Sequence, residues 1–310
     1  MEMRERYKGV NSIKFNHQFQ RNEDCYHYLS EIKWSSANYQ CKRCGYMKYG
    51  KGKKPYSRRC TMCNYDESPT AGTMFDKCKF SLLIAFHIAF KISTKKKGMS
   101  SEELSAEFEL RQKTCWAFKW KVQQVMQSSG RFPLKGVVHV DEFYVGGTEE
   151  GGKRGRGKGN KRLIIIALEI VNLKENKEGF GRAYAAIIKD ASSESFKPFF
   201  EKYIDKDAEV VTDEWTGYMP LKSTYKHLKQ IPSNKGKSFP QLHIHIMNIK
   251  SWLRGIHHQC SEQRLQGYLD EYHFRFNRRN NMESIFDLLI QRMVQYEPKR
   301  LNNRINNTAT

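Results

Sequence analysis

Two acid pairs, each following an apolar run, are the residues in this sequence best suited to chemistry. Asp141 and Glu142 lie within a valine-rich stretch bounded by glycines, and Asp213 and Glu214 end a run that begins at Glu209. A carboxylate buried in a strand is costly unless a metal ion, a basic side chain or backbone donors compensate it. Two strands of this design predict that Asp141 and Asp213 converge on one divalent metal site. Side chains alternate along a strand, so both glutamates point away and stay outside the metal shell.

Four cysteines form a second candidate metal site. Cys41 and Cys44 make one Cys-x-x-Cys pair, and Cys60 and Cys63 make a second, with fifteen residues between the two pairs. Two such pairs at this separation are typical of a zinc ribbon, in which four thiolates close a tetrahedron around Zn²⁺ and leave no position for water. The predicted zinc site is therefore structural. Lysines and arginines surround it and direct its surface towards phosphate.

The remaining cysteines carry a weaker signal. Cys25, Cys78, Cys115 and Cys260 are isolated in the sequence, and we expect them to pack in the core. A further site formed by His257, His258 and Cys260 stays open as an alternative, although no second tight pair supports it.

The composition favours a nucleic-acid partner. The chain has 310 residues, a formal net charge of +21 and a pI near 9.6, and a basic balance of this size indicates a polyanionic ligand. The first twenty residues lack the apolar core of an export signal, and the most apolar window, 80–92, is too short to span a bilayer. We therefore expect a cytoplasmic protein with reduced cysteines and no membrane partner, associated with the nucleoid.

The first part of the chain is predicted to form three small regions. Residues 1–38 read as a helical lead-in, and residues 39–78 as the zinc ribbon. In the third region, 79–130, Ser100 or Ser101 followed by Glu103 resembles a capping box that opens a helix through Phe108, and a second helix carries basic and aromatic residues. This pattern is compatible with a DNA-binding helix-turn-helix, but two packed helices without a DNA contact would produce it equally well.

The pattern changes to strands from residue 136. Three strand-like runs are followed by a helix and then by the strand that ends in Asp213, which is the order of an RNase-H-like domain, here assigned to residues 136–297. In that order the first and fourth strands are neighbours and their acids meet. Between the first two strands lies a glycine-rich loop that suits a DNA backbone, with basic residues Lys153, Arg154, Arg156, Lys158 and Lys161. An Asn-rich tail, 298–310, is expected to be disordered.

The chain resembles bacterial insertion-sequence transposases of the DDE superfamily that carry an N-terminal zinc ribbon. The resemblance covers nearly the whole chain and lies in the ribbon with the residues that follow it and in five further segments. The residues that follow the ribbon are Thr70-Ala-Gly-Thr-Met-Phe75. The five further segments are Val140-Asp-Glu-Phe-Tyr-Val-Gly-Gly147, Thr212-Asp-Glu-Trp-Thr-Gly-Tyr218, Asn248-Ile-Lys-Ser-Trp-Leu253, Gln266-Gly-Tyr-Leu-Asp-Glu-Tyr272 and Phe274-Arg-Phe-Asn-Arg-Arg279. The fold implied is a multidomain α+β and α/β protein, with a ribbon and a helix-turn-helix ahead of an RNase-H-like mixed sheet flanked by helices.

The resemblance also implies catalytic roles. Asp141 and Asp213 fall on the two aspartates of the superfamily, and Asn248 falls where most members have glutamate. The three would hold two Mg²⁺ or Mn²⁺ ions for in-line displacement at phosphorus, while Lys250 and Arg254 contact substrate phosphate. The alternative is that Asn248 caps a helix and His243 or His245 supplies the third ligand.

The implied partners are the terminal inverted repeats of a transposon and a target DNA, bound by a homodimer or a higher oligomer. Two other functions stay open. A transposase-derived DNA-binding regulator would keep the ribbon and the helix pair but would tolerate loss of either aspartate. A stand-alone RNase-H-like nuclease would explain the acids but not the ribbon.

Overall fold

The computed structural model of the protein describes residues 6–34, 39–146, 161–172, 178–257 and 261–296. Four of the predicted loop cations (Lys153, Arg154, Arg156 and Lys158), together with His258, Cys260 and the tail 298–310, lie outside these ranges. The chain divides into two compact units, the first formed by Met1–Thr94 and Glu283–Thr310 and the second by Lys95–Met282. The division differs from the predicted one, because the helices of region 79–130 fall in different units and the last helix joins the N-terminal part of the chain.

The first unit is built from helices around an aromatic core. Its helices are α1 (Ser12–Gln18), α2 (Asn22–Lys33), α3 (Leu82–Thr94) and α9 (Ile285–Gln295), the last preceded by a 3₁₀ turn at Met282–Ser284. Phe15 stacks on Phe90 with ring centroids 4.2 Å apart, and Phe286 meets Phe15 edge-on at 5.2 Å. Aromatic pairs in these geometries stabilise a core beyond the apolar area that they bury. The predicted helical lead-in is thus part of a packed unit.

The cysteine region of the same unit forms a small antiparallel sheet. Strands β1 (Tyr49–Lys51), β2 (Arg58–Cys60) and β3 (Asp66–Glu67) pair in the order β1-β2-β3. The Lys33 ammonium ties α2 to this sheet, because it lies 2.8 Å from the buried Glu67 carboxylate and donates to the carbonyls of Ser68 and Ala71.

The second unit contains a five-stranded mixed sheet. Its strands are β4 (Val137–Val145), β5 (Arg162–Asn172), β6 (Glu178–Ile188), β7 (Glu209–Thr212) and β8 (Lys229–Gln230), in the order β6-β5-β4-β7-β8. Strand β5 pairs antiparallel with both of its neighbours, β4 and β6. Strand β7 pairs parallel with β4, and β8 pairs parallel with β7. The sheet therefore brings the first and fourth strands together, as the sequence predicts.

Helices cover both faces of this sheet. Helix α6 (Ser193–Tyr203) and the 3₁₀ segment Thr216–Ser223 pack on one face, where Val138 and Val140 meet Phe196, Phe200 and Tyr218. Helices α7 (Pro240–Ile256) and α8 (Glu262–Phe276) pack on the other face, and a short 3₁₀ turn, Asn234–Gly236, precedes α7. Both sheet faces are buried, which explains why β5 reads as a continuous apolar run.

The free edge of β6 is closed by side-chain amides. Gln266 of α8 accepts from the Ile187 N–H and donates to the Ala185 carbonyl, at 3.0 and 3.2 Å. Asn277, which follows α8, pairs in the same way with both backbone groups of Ala183, each at 2.8 Å. The amides satisfy groups that an exposed edge strand would offer to another chain.

The predicted helix pair is present and lies in the second unit. Helix α4 (Ser101–Phe108) begins with the predicted capping box, since Glu103 N–H donates to Ser100 Oγ and Ser100 N–H donates to Glu103 Oε2. Helix α5 (Gln112–Met126) follows and packs against both α4 and α8. Lys119, one of the basic residues of this second helix, is buried.

Helix α7 departs most from the sequence-based expectation. Its start was placed at Asn248, but the helix begins at Pro240, which occupies its first turn. A proline is favoured there because its missing N–H would have no partner in any case. Asn248 is therefore in the middle of the helix and does not cap it. None of the described helices is long and apolar enough to cross a membrane.

Candidate active site and zinc site

The four predicted zinc ligands meet in the first unit. The Sγ atoms of Cys41, Cys44, Cys60 and Cys63 all lie within 4.8 Å of one another. Cys41 Sγ is 3.5 Å from Cys63 Sγ, and Cys44 Sγ is 3.6 Å from Cys60 Sγ. Within the described ranges this is the only group of three or more His, Cys, Asp or Glu side chains with ligand atoms so close together.

The two cysteine pairs have the same backbone geometry. Gly45 N–H donates to the Cys41 carbonyl at 2.8 Å, and Asn64 N–H donates to the Cys60 carbonyl at 3.0 Å. Gly45 and Asn64 both have positive φ, at 76° and 57°, and glycine and asparagine are the residues that adopt this conformation most readily. Each tight turn brings its two sulfur atoms to the same side.

Two of the four thiols, those of Cys41 and Cys60, are biased towards the thiolate form. Although burial opposes the charged form, the N–H groups of Cys44 and Arg43 lower the pKa of Cys41 to about 6. The Cys60 pKa is also lowered against burial, by N–H groups of its own turn, whereas the neighbouring thiols help to raise that of Cys44. Adjacent thiolates repel one another, so a cation is needed before all four deprotonate. The donor set fits Zn²⁺.

Asp141 and Asp213, called the acid pair from here on, lie on two adjoining parallel strands of the second unit, Asp141 in the middle of β4 and Asp213 directly after β7. The pairing of β4 with β7 aligns Val137 with Glu209 and His139 with Val211. Two residues further along, the same register brings Asp141 next to Asp213, which directly follows β7. The convergence of these carboxylates therefore follows from strand direction and register.

Asp141 is half-buried, and few positive charges lie near it. Burial raises the pKa of Asp141 above its usual range, and the charge of Asp213 adds to the increase. Opposing it, Glu142 N–H donates to Asp141 Oδ1 at 2.8 Å, and His243 Nε2 lies 3.6 Å from Asp141 Oδ2. Among the described residues, no Lys or Arg nitrogen lies within 4.0 Å of Asp141. Two carboxylates with so little compensation fit a divalent cation.

Helix α7 presents His243 and Lys250 to this site. They are seven residues apart, nearly two helical turns, and so share one side of the helix. Lys250 interacts electrostatically with Asp141, and its Nζ lies 5.3 Å from the centre of the Phe143 ring. Burial and the neighbouring Arg254 lower the pKa of Lys250. Lys250 was predicted to contact substrate phosphate, and His243 was named only as an alternative third metal ligand.

Asn248 lies on a different side of α7 from His243. It is exposed, whereas Leu242, Ile246, Ile249 and Leu253 form the buried face of α7. At about 100° per residue, Asn248 points roughly 140° away from His243. His245 is not at the site, because its Nε2 lies 3.3 Å from His273 Nε2 in the core.

Glu142 and the residues after Asp213 support the pair. Glu142 points to the opposite face of β4, as predicted, and accepts a 2.6 Å hydrogen bond from Tyr218 Oη. Burial raises the Glu142 pKa to about 7, against the effect of that hydrogen bond. Gln230 Nε2 donates to the carbonyls of Asp213 and Trp215 at 3.2 and 2.9 Å, which holds the turn that carries Asp213. These contacts could not be predicted from the sequence pattern.

Two of the other residues that were predicted to contact DNA lie within the described ranges. Arg254, in α7, and Lys161, immediately before β5, are both exposed. Within the ribbon, exposed positions include Lys42, Arg43, Lys48, Lys51, Lys53, Lys54 and Arg59.

Comparison with known proteins identifies one part of the chain. Residues 133–277 match the family described as the ISXO2-like transposase domain, a span slightly shorter than half of the chain. The match contains both aspartates, His243, Asn248 and Lys250. No curated protein matches the chain. The resemblance to transposases is thus confirmed for this span, and the four-cysteine cluster lies ahead of it, as expected of an N-terminal zinc ribbon.

Proposed function

Because the chain carries an ISXO2-like transposase domain, we propose that it binds the ends of a mobile DNA element and catalyses DNA strand cleavage and strand transfer. The observation that carries the proposal is the register of parallel strands β4 and β7, which sets Asp141, in the middle of β4, beside Asp213, which directly follows β7. We propose further that the protein acts on these ends as a homodimer or a higher oligomer.

The strand order supports an RNase-H-like domain. Three antiparallel strands, a helix and a fourth strand parallel to the first give the order β6-β5-β4-β7-β8. In this order the carboxyl end of β7 lies beside the middle of β4, and the carboxyl ends of strands are where an α/β sheet commonly binds its ligand. The fold therefore supplies the acid pair from rigid elements.

Asp141 and Asp213 would hold the catalytic metal ion. Mg²⁺ or Mn²⁺ bound there would activate the attacking hydroxyl and neutralise charge on the reacting phosphate. Mg²⁺ commonly takes one or two carboxylates from the protein and completes its shell with water and substrate phosphate. Two aspartates are therefore sufficient protein ligands, and Asn248 is not required as a third.

The remaining side chains of the site would act on the DNA. Lys250, half-buried beside Asp141, supplies a positive charge for the phosphate next to the cleaved bond. Within reach of Asp141, His243 can accept a proton from the attacking hydroxyl or keep the carboxylate oriented. Tyr218 Oη donates a 2.6 Å hydrogen bond to Glu142, the residue after Asp141, and so restrains the part of β4 that carries Asp141.

The basic surface supports binding of double-stranded DNA. The exposed ribbon cations, Lys161 and Arg254 accompany a net charge of +21. Each phosphate neutralised by a lysine or arginine releases counterions, so affinity should fall steeply with salt. Helices α4 and α5 are proposed as part of this surface, with Lys113 and Lys121 as their exposed cations.

The test is cleavage and joining of duplex DNA that contains the ends of the element. Asp141→Asn and Asp213→Asn should abolish both reactions in Mg²⁺ while end binding survives, because each change removes a negative charge from the cation site. Glu214→Gln is the matched control, since this exposed neighbour of Asp213 carries the same charge. End binding without cleavage by the unaltered protein would instead favour a DNA-binding regulator.

A further inference from the structure

A pocket of about 530 Å³ lies in the second unit, and neither aspartate of the acid pair lines it. Its walls come from α4 and α5 on one side and from the end of α7 and the start of α8 on the other. A volume of this size falls within the range of ligand pockets. Nothing in the proposed cleavage chemistry uses these residues.

Aromatic rings and one guanidinium form the facing walls of the pocket. Trp116 and Trp120 are one turn apart on α5, and the Arg264 guanidinium of α8 lies over both rings, 3.9 and 4.3 Å from their centres. One turn further along α8, Tyr268 stacks on His257 with ring centres 3.7 Å apart. One face of each of these rings is thus covered by a neighbour in the pocket wall, and another planar ring would stack on a remaining face or replace Arg264 over the tryptophans.

The charges around the pocket argue against a phosphate as its ligand. Lys119 lines the pocket, but its ammonium is buried and is engaged with the Met99 carbonyl and the Glu271 carboxylate. Glu102 and Glu103 are exposed at the start of α4 and bring negative charge to the rim. The pocket lining thus carries one accessible guanidinium and two rim carboxylates, a balance that favours an uncharged planar group over a phosphate.

Polar atoms in the pocket can recognise the edge of such a ring. Arg264 Nη1 is buried and has no hydrogen-bond partner within the described part of the chain. Gln123 uses its Nε2 to donate to Glu271 at 2.7 Å, which keeps its carbonyl oxygen for another donor. Gln112 and Ser101, 2.8 Å apart through Nε2 and Oγ, supply further polar groups.

We propose that this pocket binds one nucleobase that has left the base stack of the DNA. The inference rests on the proposed function, which makes DNA the substrate. A flipped or unpaired base offers a planar, uncharged ring with hydrogen-bonding edges, and these are the features that the pocket matches. The pocket lies within the α4–α5 pair, which places it on an element proposed to contact DNA.

The test compares three duplexes that differ at one central position. The first is fully paired, the second carries a single bulged thymidine, and the third carries an abasic tetrahydrofuran bulge at the same place. Fluorescence anisotropy should show that the protein binds the thymidine bulge about tenfold more tightly than the abasic bulge, because stacking of one base on aromatic side chains has this magnitude. Trp116→Ala should remove the preference, and Trp116→Phe should keep part of it.

Three controls separate the outcomes. Phe132→Ala, which shortens an exposed aromatic side chain outside the pocket, should leave the preference unchanged. Phe132→Ala should also bind the fully paired duplex as the unaltered protein does. Asp141→Asn should keep the base preference while losing cleavage, so failure of the proposed function is distinguishable from failure of the pocket. Equal affinity of the unaltered protein for the two bulges, or an undiminished preference in Trp116→Ala, would overturn the proposal.

Discussion

At the scale of single residues, the site depends on how little positive charge the chain itself supplies to Asp141. The neighbours that favour its charged form are one backbone N–H, His243 and the more distant Lys250. Burial and Asp213 oppose them and raise the pKa of Asp141. A divalent cation removes this conflict, because it interacts favourably with both carboxylates at once.

The first prediction concerns the two α7 residues that were candidates for the third position. His243→Ala should raise the Mg²⁺ concentration needed for half-maximal cleavage more than Asn248→Ala does, because His243 lies beside Asp141 and Asn248 faces solvent. A Mg²⁺ titration of cleavage by the two variants measures this order. The opposite order, with Asn248→Ala the more damaging change, would show that the resemblance to the superfamily identifies the third ligand correctly and that α7 is turned differently on DNA.

The pairing of the aspartates could be predicted from sequence, whereas the assignment of Asn248 as a third metal ligand stays a prediction. Both acids follow valine-rich runs, and strand alternation fixes the face on which each side chain lies. The start of α7 at Pro240 was missed, although Leu242, Ile246 and Ile249 already have helical spacing. With the helix begun at Asn248 instead, that residue was interpreted as a terminal position.

At the scale of elements, α5 is fixed to α8 by a buried ionic cluster. The Glu271 carboxylate is fully buried and lies 2.6 Å from Arg275 Nη1 and 3.4 Å from Lys119 Nζ, while Gln123 donates to it at 2.7 Å. Although burial opposes its charged form, Lys119 and Arg275 lower the Glu271 pKa to about 2. Such a cluster is sensitive to loss of one partner, because the charge left behind is buried.

The second prediction compares the members of this cluster. Glu271→Leu should destabilise the second unit by roughly 3–5 kcal/mol, since it removes the carboxylate that faces two buried cations. Lys119→Met should cost less, because Glu271 keeps Arg275 and Gln123 as partners. Chemical denaturation followed by tryptophan fluorescence measures both. Equal losses in the two variants would contradict the central role of Glu271.

Local and distant contacts of the same helix pair differed in how well they could be predicted. The capping box at Ser100 and Glu103 lies within four residues of sequence, so its pattern was sufficient to predict the start of α4. Burial of Lys119 depends on Glu271 and on the Met99 carbonyl. The burial of Lys119 could therefore not be predicted from its place on a basic, aromatic helix.

At the scale of the whole molecule, the chain forms two compact units with separate sources of stability. The first holds the four-cysteine cluster, and Trp34 and Tyr39 pack with Cys41 and Cys60 in a small core of their own. The second holds the sheet and its two apolar layers. That α9 belongs to the first unit was not predictable, because Phe286 meets Phe15 and Phe90 only in the folded chain.

The third prediction follows from this division. Removal of zinc with a chelator should unfold the ribbon and expose Trp34, because so small a core depends on its metal. The second unit should keep its denaturation midpoint, since its core contains no metal ligand of this cluster. Comparison with Trp34→Phe isolates the emission change, as every other tryptophan lies in the second unit. Unchanged Trp34 emission on chelation, or protein purified without zinc, would contradict a structural zinc site.

The most direct test of the central claim, that Asp141 and Asp213 together hold a divalent cation, is a Mn²⁺ titration followed by electron paramagnetic resonance. Free Mn²⁺ gives a strong signal that is lost on binding, so the number and affinity of bound ions can be measured without DNA chemistry. The unaltered protein and Glu214→Gln should bind Mn²⁺ alike, whereas Asp141→Asn and Asp213→Asn should each bind it at least tenfold more weakly, because a neutral amide replaces a carboxylate ligand. Equal binding by all four proteins would contradict the claim.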